Sequence, residues 1–395
     1  MSQIWPGGTI GIIGGGQLAR MTALEARRMG YRIAVLDPDP EGPAAQVADF
    51  CVTGAFDNLE AAKTLAACSD VITLDTEHVP AELLEQLEAM KPVRPAASVL
   101  RIVQDRCAQR RFLEAQRVPQ PRNAAVSDAL SLRAAAMVVG FPCVLKTRRS
   151  GYDGKGQARA GDVAELEDAW RALGQPLAIV EAFIDYEKEI SVVFARDLDG
   201  NVRFYPIAEN THRRHILHTS RVPARIPAEL VAQAEKLGAR IASALGHVGM
   251  MAIELFVTRE GSLLVNEIAP RTHNSGHYTF GACMTSQFEQ HVRAICGLPL
   301  GDPSLLRPAV MLNLLGDLWR DGLPPWHAVL SHPTARLHLY GKKRPAAGRK
   351  MGHVLVLGED GQDGAVVAEA IAADLERAVA AGRGERARSY PIVCG

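Results

Sequence analysis

The stretch TIGIIGGGQLA, Thr9 to Ala19, narrows most sharply what this chain can fold into. A β-branched run that meets three consecutive glycines and then turns helical opens a parallel strand-helix unit, because glycine lets the backbone reverse tightly and pack a helix closely on its strand. The alternation continues with a helical stretch over Gln17 to Met29, a strand in YRIAVLD, a short strand over Phe50 to Thr53, a helix from Asn58 and a strand in DVITLD. Residues 1–105 therefore read as a doubly wound, parallel-sheet α/β domain. Gly14, Gly16 and Ala19 also satisfy the GxGxxA spacing of a dinucleotide site, with Asp37 ending the second strand where a ribose-binding acid would stand. A tight strand-to-helix turn needs the same glycines, so an NAD-dependent oxidoreductase and a bare turn are both open at this point.

The 395 residues are too many for that unit alone; at about 150 residues per domain they imply two to three domains. The 44 basic and 44 acidic residues leave no net charge, which removes the positive field that a nucleic-acid or membrane binder carries. Any anion site must be built locally. Seven cysteines without a CxxC pair suggest neither a disulfide framework nor a thiolate zinc site, and buried free thiols are expected. No run is long and apolar enough for a membrane span, and the N-terminus lacks the layout of a secretory leader, so a cytoplasmic protein is expected.

After the prolines of VPQPRN the pattern turns antiparallel. FPCVLKTRR reads as a strand, RSGYDGKGQ as a glycine flap and GQARA as the returning strand, in a small flap-bearing domain over 106–180. The glycines admit backbone N–H groups close to an anion, and Lys146 and Lys155 add the point charges a triphosphate needs; a surface hairpin is the plainer reading. EAFI, Glu181 to Ile184, could present backbone groups to an adenine edge, with Glu189 nearby for ribose hydroxyls.

Residues 181–395 read as a larger, antiparallel-sheet domain. There MAIELFVTR and SLLVNEIAPR flank Glu260 and Gly261, and a two-residue turn would set Glu254 opposite Glu267 on one face. Two carboxylates inside apolar runs repel unless a cation lies between them, and Mg2+ carrying nucleotide phosphates is the simplest neutraliser. Bridging by Arg259 or Arg271 is the alternative. The segments AENTHRRHILH and RTHNSGHYT are expected to be solvated loops or a polar substrate wall, and the five cations of YGKKRPAAGRK a phosphate clamp or a solvated run.

Taken in order, the flap between Lys146 and Lys155, EAFI with Glu189, and the opposed Glu254 and Glu267 resemble the ATP-grasp superfamily. Within it, ITLDTEHVP, SGYDGKGQ, AENTHRRHIL, NEIAPRTHNSGH and YGKKRPAAGRKMGH are similar to the 5-(carboxyamino)imidazole ribonucleotide synthetase family, over nearly the whole chain. The resemblance implies an ATP-grasp fold of mixed α/β and α+β class, three domains and a homodimer. It implies that ATP, bicarbonate and 5-aminoimidazole ribonucleotide yield ADP, phosphate and the N-carboxylated ribonucleotide of purine biosynthesis.

By the same resemblance ATP meets Arg106, Lys146 and the flap residues Gly151, Tyr152, Asp153, Gly154, Lys155, Gly156 and Gln157. Glu181, Ala182, Phe183, Ile184, Glu189, His212, Asn266 and Glu267 complete that set, and Glu254 and Glu267 hold Mg2+. The ribonucleotide is implied to lie between Gly15, Gly16, Gln17, Leu18 and Glu77 on one side and Tyr152, Asp153, Arg271, Ser275, His277, Lys342 and Arg349 on the other. Asp153, Lys155, Arg271 and His277 are the implied catalytic groups. The chain departs from the family at Asp75, where a glutamate is usual, and at RRHILH, which replaces a glycine-bearing segment. A formate-dependent glycinamide ribonucleotide transformylase and a non-catalytic nucleotide sensor are the competing readings on the same scaffold.

Overall fold

The computed structural model describes residues 3–149, 151, 155–320, 322–358 and 364–381. β1 (Thr9–Ile13), β2 (Arg32–Asp37), β3 (Phe50–Thr53) and β4 (Val71–Leu74) form a parallel sheet in the order β3-β2-β1-β4. β1 and β4 are buried along their whole length, as strands covered on both faces must be. The helix Leu59–Ala67 begins where Asn58 accepts the N–H of Ala61.

The glycine cluster after β1 has a local cause. Asp37, at the end of β2, accepts the N–H of Gly15 at 2.5 Å, and Asp75, just past β4, accepts those of Gly16 and Ala19 at 2.7 and 2.8 Å. A Cβ on Gly15 would lie 2.9 Å from that of Asp37, and one on Gly16 would lie 2.4 Å from Asp75 Oδ2. Two carboxylates thus occupy the N–H groups that a dinucleotide pyrophosphate would need, which favours the bare turn over the NAD reading.

β5 (Asn123–Val126), β6 (Cys143–Thr147), β7 (Gln157–Ala160) and β8 (Ala178–Ala182) make an antiparallel sheet in the order β5-β8-β6-β7. The helices Ala129–Val139 and Val163–Ala172 bury Leu132, Val139, Leu166 and Trp170 against it. β6 and β7 are the two arms of the flap.

The third sheet is antiparallel and carries β9 (Tyr186–Arg196), β10 (Val202–Phe204), β11 (Ala208–Arg213), β12 (Ile216–Val222), β13 (Gly249–Thr258), β14 (Leu263–Ala269), β15 (Ala309–Leu315), β16 (Ala335–Leu339) and β17 (Lys350–Leu357). The order is β14-β13-β9-β11-β12-β15-β17-β16, with β10 beside β9. Alternate residues Val192, Phe194, Met251 and Ile253 pack with the helix Ala228–Leu245, whereas Val193, Ala195, Met250 and Ala252 face a separate core. Glu189, Ser191 and Glu254 fall on the second of these faces by the same alternation.

Two expectations are corrected. AENTHRRHILH is not a solvated loop but the β11-β12 hairpin, closed by Arg214 and His215 at φ 52° and 65°. Tight hairpin turns ask for positive φ at both central residues, a conformation usually signalled by Asn-Gly, and nothing in an Arg-His pair announces it. The thiols are not uniformly buried: Cys51 and Cys68 are exposed, Cys107, Cys143, Cys283 and Cys296 are buried, and Cys394 lies outside the described residues. Among the described residues no helix is long and apolar enough to cross a membrane.

Candidate active site

The β13-β14 hairpin closes on three residues, not two. Thr258 accepts the N–H of Gly261 and donates its own to Ser262, both at 2.9 Å, with Gly261 at φ 77°. Near the turn Val257 faces Leu263 and Leu255 faces Val265. Left uncorrected, that extra residue would slip the register by one and send Glu267 to the other face. A bulge at Asn266 absorbs the slip, so Glu254 does stand directly opposite Glu267.

The bulge is held by a residue that the sequence reading did not single out. Arg110, buried on the helix Arg106–Ala115, donates from Nη1 to the carbonyl of Val265 at 2.8 Å and from Nη2 to that of Asn266 at 2.9 Å. Its Nε donates to Glu181 Oε1 at 2.6 Å, while Lys146 Nζ donates to Glu181 Oε2 at 2.7 Å. Burial alone would raise the Glu181 carboxyl; the charges of Lys146 and Arg110 outweigh it and hold it at about 2. Glu181 is therefore an anchor between the two antiparallel sheets, and its carboxylate is not free for a ribose.

The arginines that could have bridged the acidic pair are engaged elsewhere, Arg259 with Asp185 and Arg271 with Glu77, each at 2.9 Å. Glu189 lies beside the pair, opposite Phe256 on β13. Burial, and then the charge of Glu267, push its carboxyl up to about 7 against the pull of Lys146. His212 Nδ1 stands 3.6 Å from Glu189 Oε2. Lys146 on the small sheet and Glu189 and Glu267 on the large one thus face a common cleft.

At the mouth of that cleft Arg106 ties down the flap, donating to the carbonyls of Thr147 and Gly151 at 2.8 and 2.7 Å. Gly156 sits at φ 69°, where a Cβ would lie 2.7 Å from Thr147 Oγ1. Gln157 pairs with Lys146 at the base of the hairpin, and Lys155 is exposed. Tyr152, Asp153 and Gly154 lie outside the described residues. In EAFI, the N–H groups of Ala182 and Phe183 go to the carbonyls of Arg122 and Pro142, and the Phe183 ring lies 4.1 Å beneath the Arg159 guanidinium. Ile184 follows at the end of β8.

A cationic cluster adjoins the cleft. Arg271 is half-buried; desolvation would lower its pKa, but Glu77, Asp75 and Glu267 outweigh that and raise it. One guanidinium thus lies between the acidic cleft and the glycine turn that carries Gln17 and Leu18. The carboxyl of the half-buried Asp75 is raised by desolvation and lowered in part by the Ala19 N–H, Arg271, the Gly16 N–H and Lys342, which places Lys342 on the same side. Lys342 Nζ donates to the carbonyl of Lys350 at 2.7 Å. Of the remaining cations of that loop, Lys343 turns to Glu41 at 2.5 Å and Arg349 donates to the carbonyl of Arg344 at 2.6 Å. Gln46 Nε2 donates to the carbonyl of Gly341 at 2.8 Å, so the loop is clasped to the first domain. Ser275 is buried with Oγ 2.8 Å from His273 Nδ1, and His273 Nε2 lies 3.7 Å from Glu254 Oε1. His277 is fully buried against Phe288, Tyr340 and His353.

The donor set suits Mg2+. Glu254 and Glu267 offer hard oxygens directly opposite each other, and the Glu267 charge adds to burial in pushing Glu189 up. Among the described residues no group of three or more His, Cys, Asp or Glu side chains could hold a metal by itself. Two carboxylates completed by phosphate oxygens are how Mg2+ is usually held.

Beyond Arg110, the sequence reading assigned no role to Lys350 or to Gln287, which hydrogen-bonds both His273 and His277. Only Lys350 carried a signal, as a member of the basic run.

Known proteins match this arrangement over most of the chain. Residues 8–104 match the ribonucleotide synthetase preATP-grasp domain, 111–288 the ATP-grasp domain and 309–365 the phosphoribosylaminoimidazole carboxylase C-terminal domain. The N5-carboxyaminoimidazole ribonucleotide synthase of Brucella melitensis is 45% identical over 351 residues, 88% of this chain and 96% of the relative. That of Bacillus subtilis is 41% identical over 355 residues, 89% of this chain and 92% of its own. Among solved structures, an ADP complex of an N5-carboxyaminoimidazole ribonucleotide synthetase superposes with a TM-score of 0.89 at 42% identity, covering 95% of this chain and 98% of its own. The Aspergillus clavatus synthase in complex with ADP and 5-aminoimidazole ribonucleotide superposes with a TM-score of 0.87 at 30% identity, covering 95% of this chain and 100% of its own. The chain belongs to the N5-carboxyaminoimidazole ribonucleotide synthase family of ATP-grasp ligases.

Proposed function

We propose that the chain carboxylates 5-aminoimidazole ribonucleotide at its exocyclic amine, using ATP and bicarbonate. The observation that carries this is Arg271, whose guanidinium feels both Glu267 of the acidic cleft and Asp75 and Glu77 beside the glycine turn. Two anionic substrates bound on either side of it would meet at one point.

ATP would lie in the cleft, its phosphates against Lys146 and the flap from Gly151 to Gln157, its adenine against the backbone at Ile184, and its ribose near Glu189 and His212. Mg2+ would be held by Glu254 and Glu267, with Asn266 beside them, and supplies charge neutralisation at the terminal phosphates. A bicarbonate oxygen attacks the γ-phosphorus, the bond to the β-phosphate oxygen breaks, and ADP and carboxyphosphate result. The amine nitrogen then bonds to the carboxyl carbon, either of carboxyphosphate or of CO2 released from it. The carbon-oxygen bond to phosphate breaks, and the amine proton passes to the phosphate so released. Carboxyphosphate hydrolyses readily, so a flap rooted by Arg106 that excludes water is integral to the reaction. Lys342 and Lys350 would meet the ribonucleotide phosphate, with Gly15, Gly16, Gln17, Leu18 and Glu77 on the opposite wall. Arg349, turned toward Arg344, is less directly placed for that phosphate.

We assign residues 1–105, 106–180 and 181–395 as three domains, a homodimer as the assembly, and the cytoplasm as the compartment. The test is coupled ADP release with bicarbonate, formate and the ribonucleotide varied separately. Release that needs both bicarbonate and ribonucleotide is expected. Formate replacing bicarbonate would turn the assignment to transformylation, and ATP binding without turnover would make the chain a sensor.

A further inference from the structure

We propose that Gln287 fixes His277 as the neutral tautomer protonated on Nε2, and that this N–H donates to an anionic oxygen of bound substrate. The second half rests on the function proposed above; the first does not.

Gln287 is fully buried at the first position of the helix Gln287–Ile295. Its Oε1 accepts the backbone N–H of His273 at 2.9 Å, and its Nε2 donates to the carbonyl of the same residue at 2.8 Å. A backbone N–H only donates and a carbonyl only accepts, so the amide has one permitted orientation. Gly276 makes room for it, since a Cβ there would lie 2.6 Å from Gln287 Oε1. The same Gln287 Nε2 reaches His277 Nδ1 at 3.1 Å. A donor facing Nδ1 requires a lone pair on it, which leaves the single proton of the neutral ring on Nε2.

The ring is neutral for structural reasons. It is enclosed by Phe288, Tyr340 and His353 at centroid distances of 5.6, 6.0 and 5.0 Å. Burial, and then the charges of Lys350, Arg271 and Lys342 and the neighbouring His338, push its pKa down to about 3. His277 Nε2 has no hydrogen-bond partner among the described residues. A buried orphan donor is costly, and one beside three cations stands where an anion is drawn. His277 is therefore a donor to substrate and not the acceptor of the amine proton. Gln287 is the positioning residue that makes it so.

Proton-nitrogen correlation spectra of the full chain carrying 15N-histidine test this, with His277→Gln assigning the resonance. In the ligand-free protein His277 is expected to show a bare Nδ1 and a protonated Nε2. Gln287→Glu, whose carboxylate accepts, is expected to move the proton to Nδ1. A wild-type ring protonated on Nδ1 would overturn the proposal. Should Gln287→Glu not fold, His277→Gln against His277→Phe decides. The glutamine amide restores a donor near Nε2 and should retain ribonucleotide affinity, while phenylalanine loses roughly tenfold. Equal losses overturn the proposal. Titration with the ribonucleotide alone and with bicarbonate alone identifies which anion meets the N–H. If neither moves the Nε2 resonance in a chain that releases ADP, the donor role is wrong while the function stands. If no ribonucleotide-dependent ADP release occurs, the function is wrong, and the ligand-free spectrum still decides the tautomer.

Discussion

Replacing Arg110 with Met removes one arm of the buried Arg110–Glu181–Lys146 network and both donors to the bulge carbonyls. A carboxyl held at about 2 where 4.5 is ordinary corresponds to roughly 3 kcal/mol of preference for its charged form. Lys146 retains part of that, but the carbonyls of Val265 and Asn266 lose their charged donor. Removing one partner of a buried pair costs about 3–5 kcal/mol, and we expect Arg110→Met to lose that much, a large fraction of the stability of most proteins. The pH dependence carries the signature. Because the folded-state pKa of Glu181 is depressed, its contribution is complete above about pH 4.5 and is lost as pH falls toward about 2. Urea midpoints of the first unfolding transition should differ widely between wild type and variant at neutral pH, and the gap should narrow on acidification below about pH 4.5. Arg110→Lys keeps a charge but cannot fork to two carbonyls, so it should recover part of the stability while turnover stays depressed. Equal midpoints, or a gap indifferent to acid, would refute the network as the element that joins the two sheets.

Glu267→Gln should lower turnover by on the order of 100-fold or more, and should also lower the pKa of Glu189, whose upward push comes partly from the Glu267 charge; carbonyl-region infrared titration reads the second effect independently of activity. His215→Gly, at φ 65°, should stabilise by about 1 kcal/mol, a melting shift of roughly 2 °C, because it relieves a left-handed conformation in a side-chain-bearing residue. Lys342→Met should raise the KM for the ribonucleotide by roughly tenfold with the KM for ATP unchanged; equal changes in both would remove Lys342 from the ribonucleotide pocket.

The parallel sheet was legible almost residue by residue, since β1, β2 and β4 are largely buried strands marked off by glycines and an Asn cap. The opposition of Glu254 and Glu267 was also legible, although a two-residue turn and an unbroken ladder were both wrong by one residue and the errors cancelled. Nothing marks Asn266 as a bulge, because a polar residue in an alternating strand looks the same with or without one. What stayed hidden were side-chain destinations set across long separations. Arg110 meets Glu181 71 residues away and Val265 155 residues away, and it sits among several arginines with no distinguishing spacing. Glu181 reads as an ATP contact because its sequence neighbours reveal neither Arg110 nor Lys146. The β11-β12 hairpin was hidden because its positive φ angles fall on arginine and histidine.

The clasp of Lys343 to Glu41 and Gly341 to Gln46 means that the earliest and latest thirds of the polypeptide build one wall together. The nucleotide cleft, by contrast, draws its side chains from residues 106 to 267. A chain still emerging from the ribosome would thus acquire the power to grip ATP before it could receive the acceptor nucleotide, and only the finished protein has both in place.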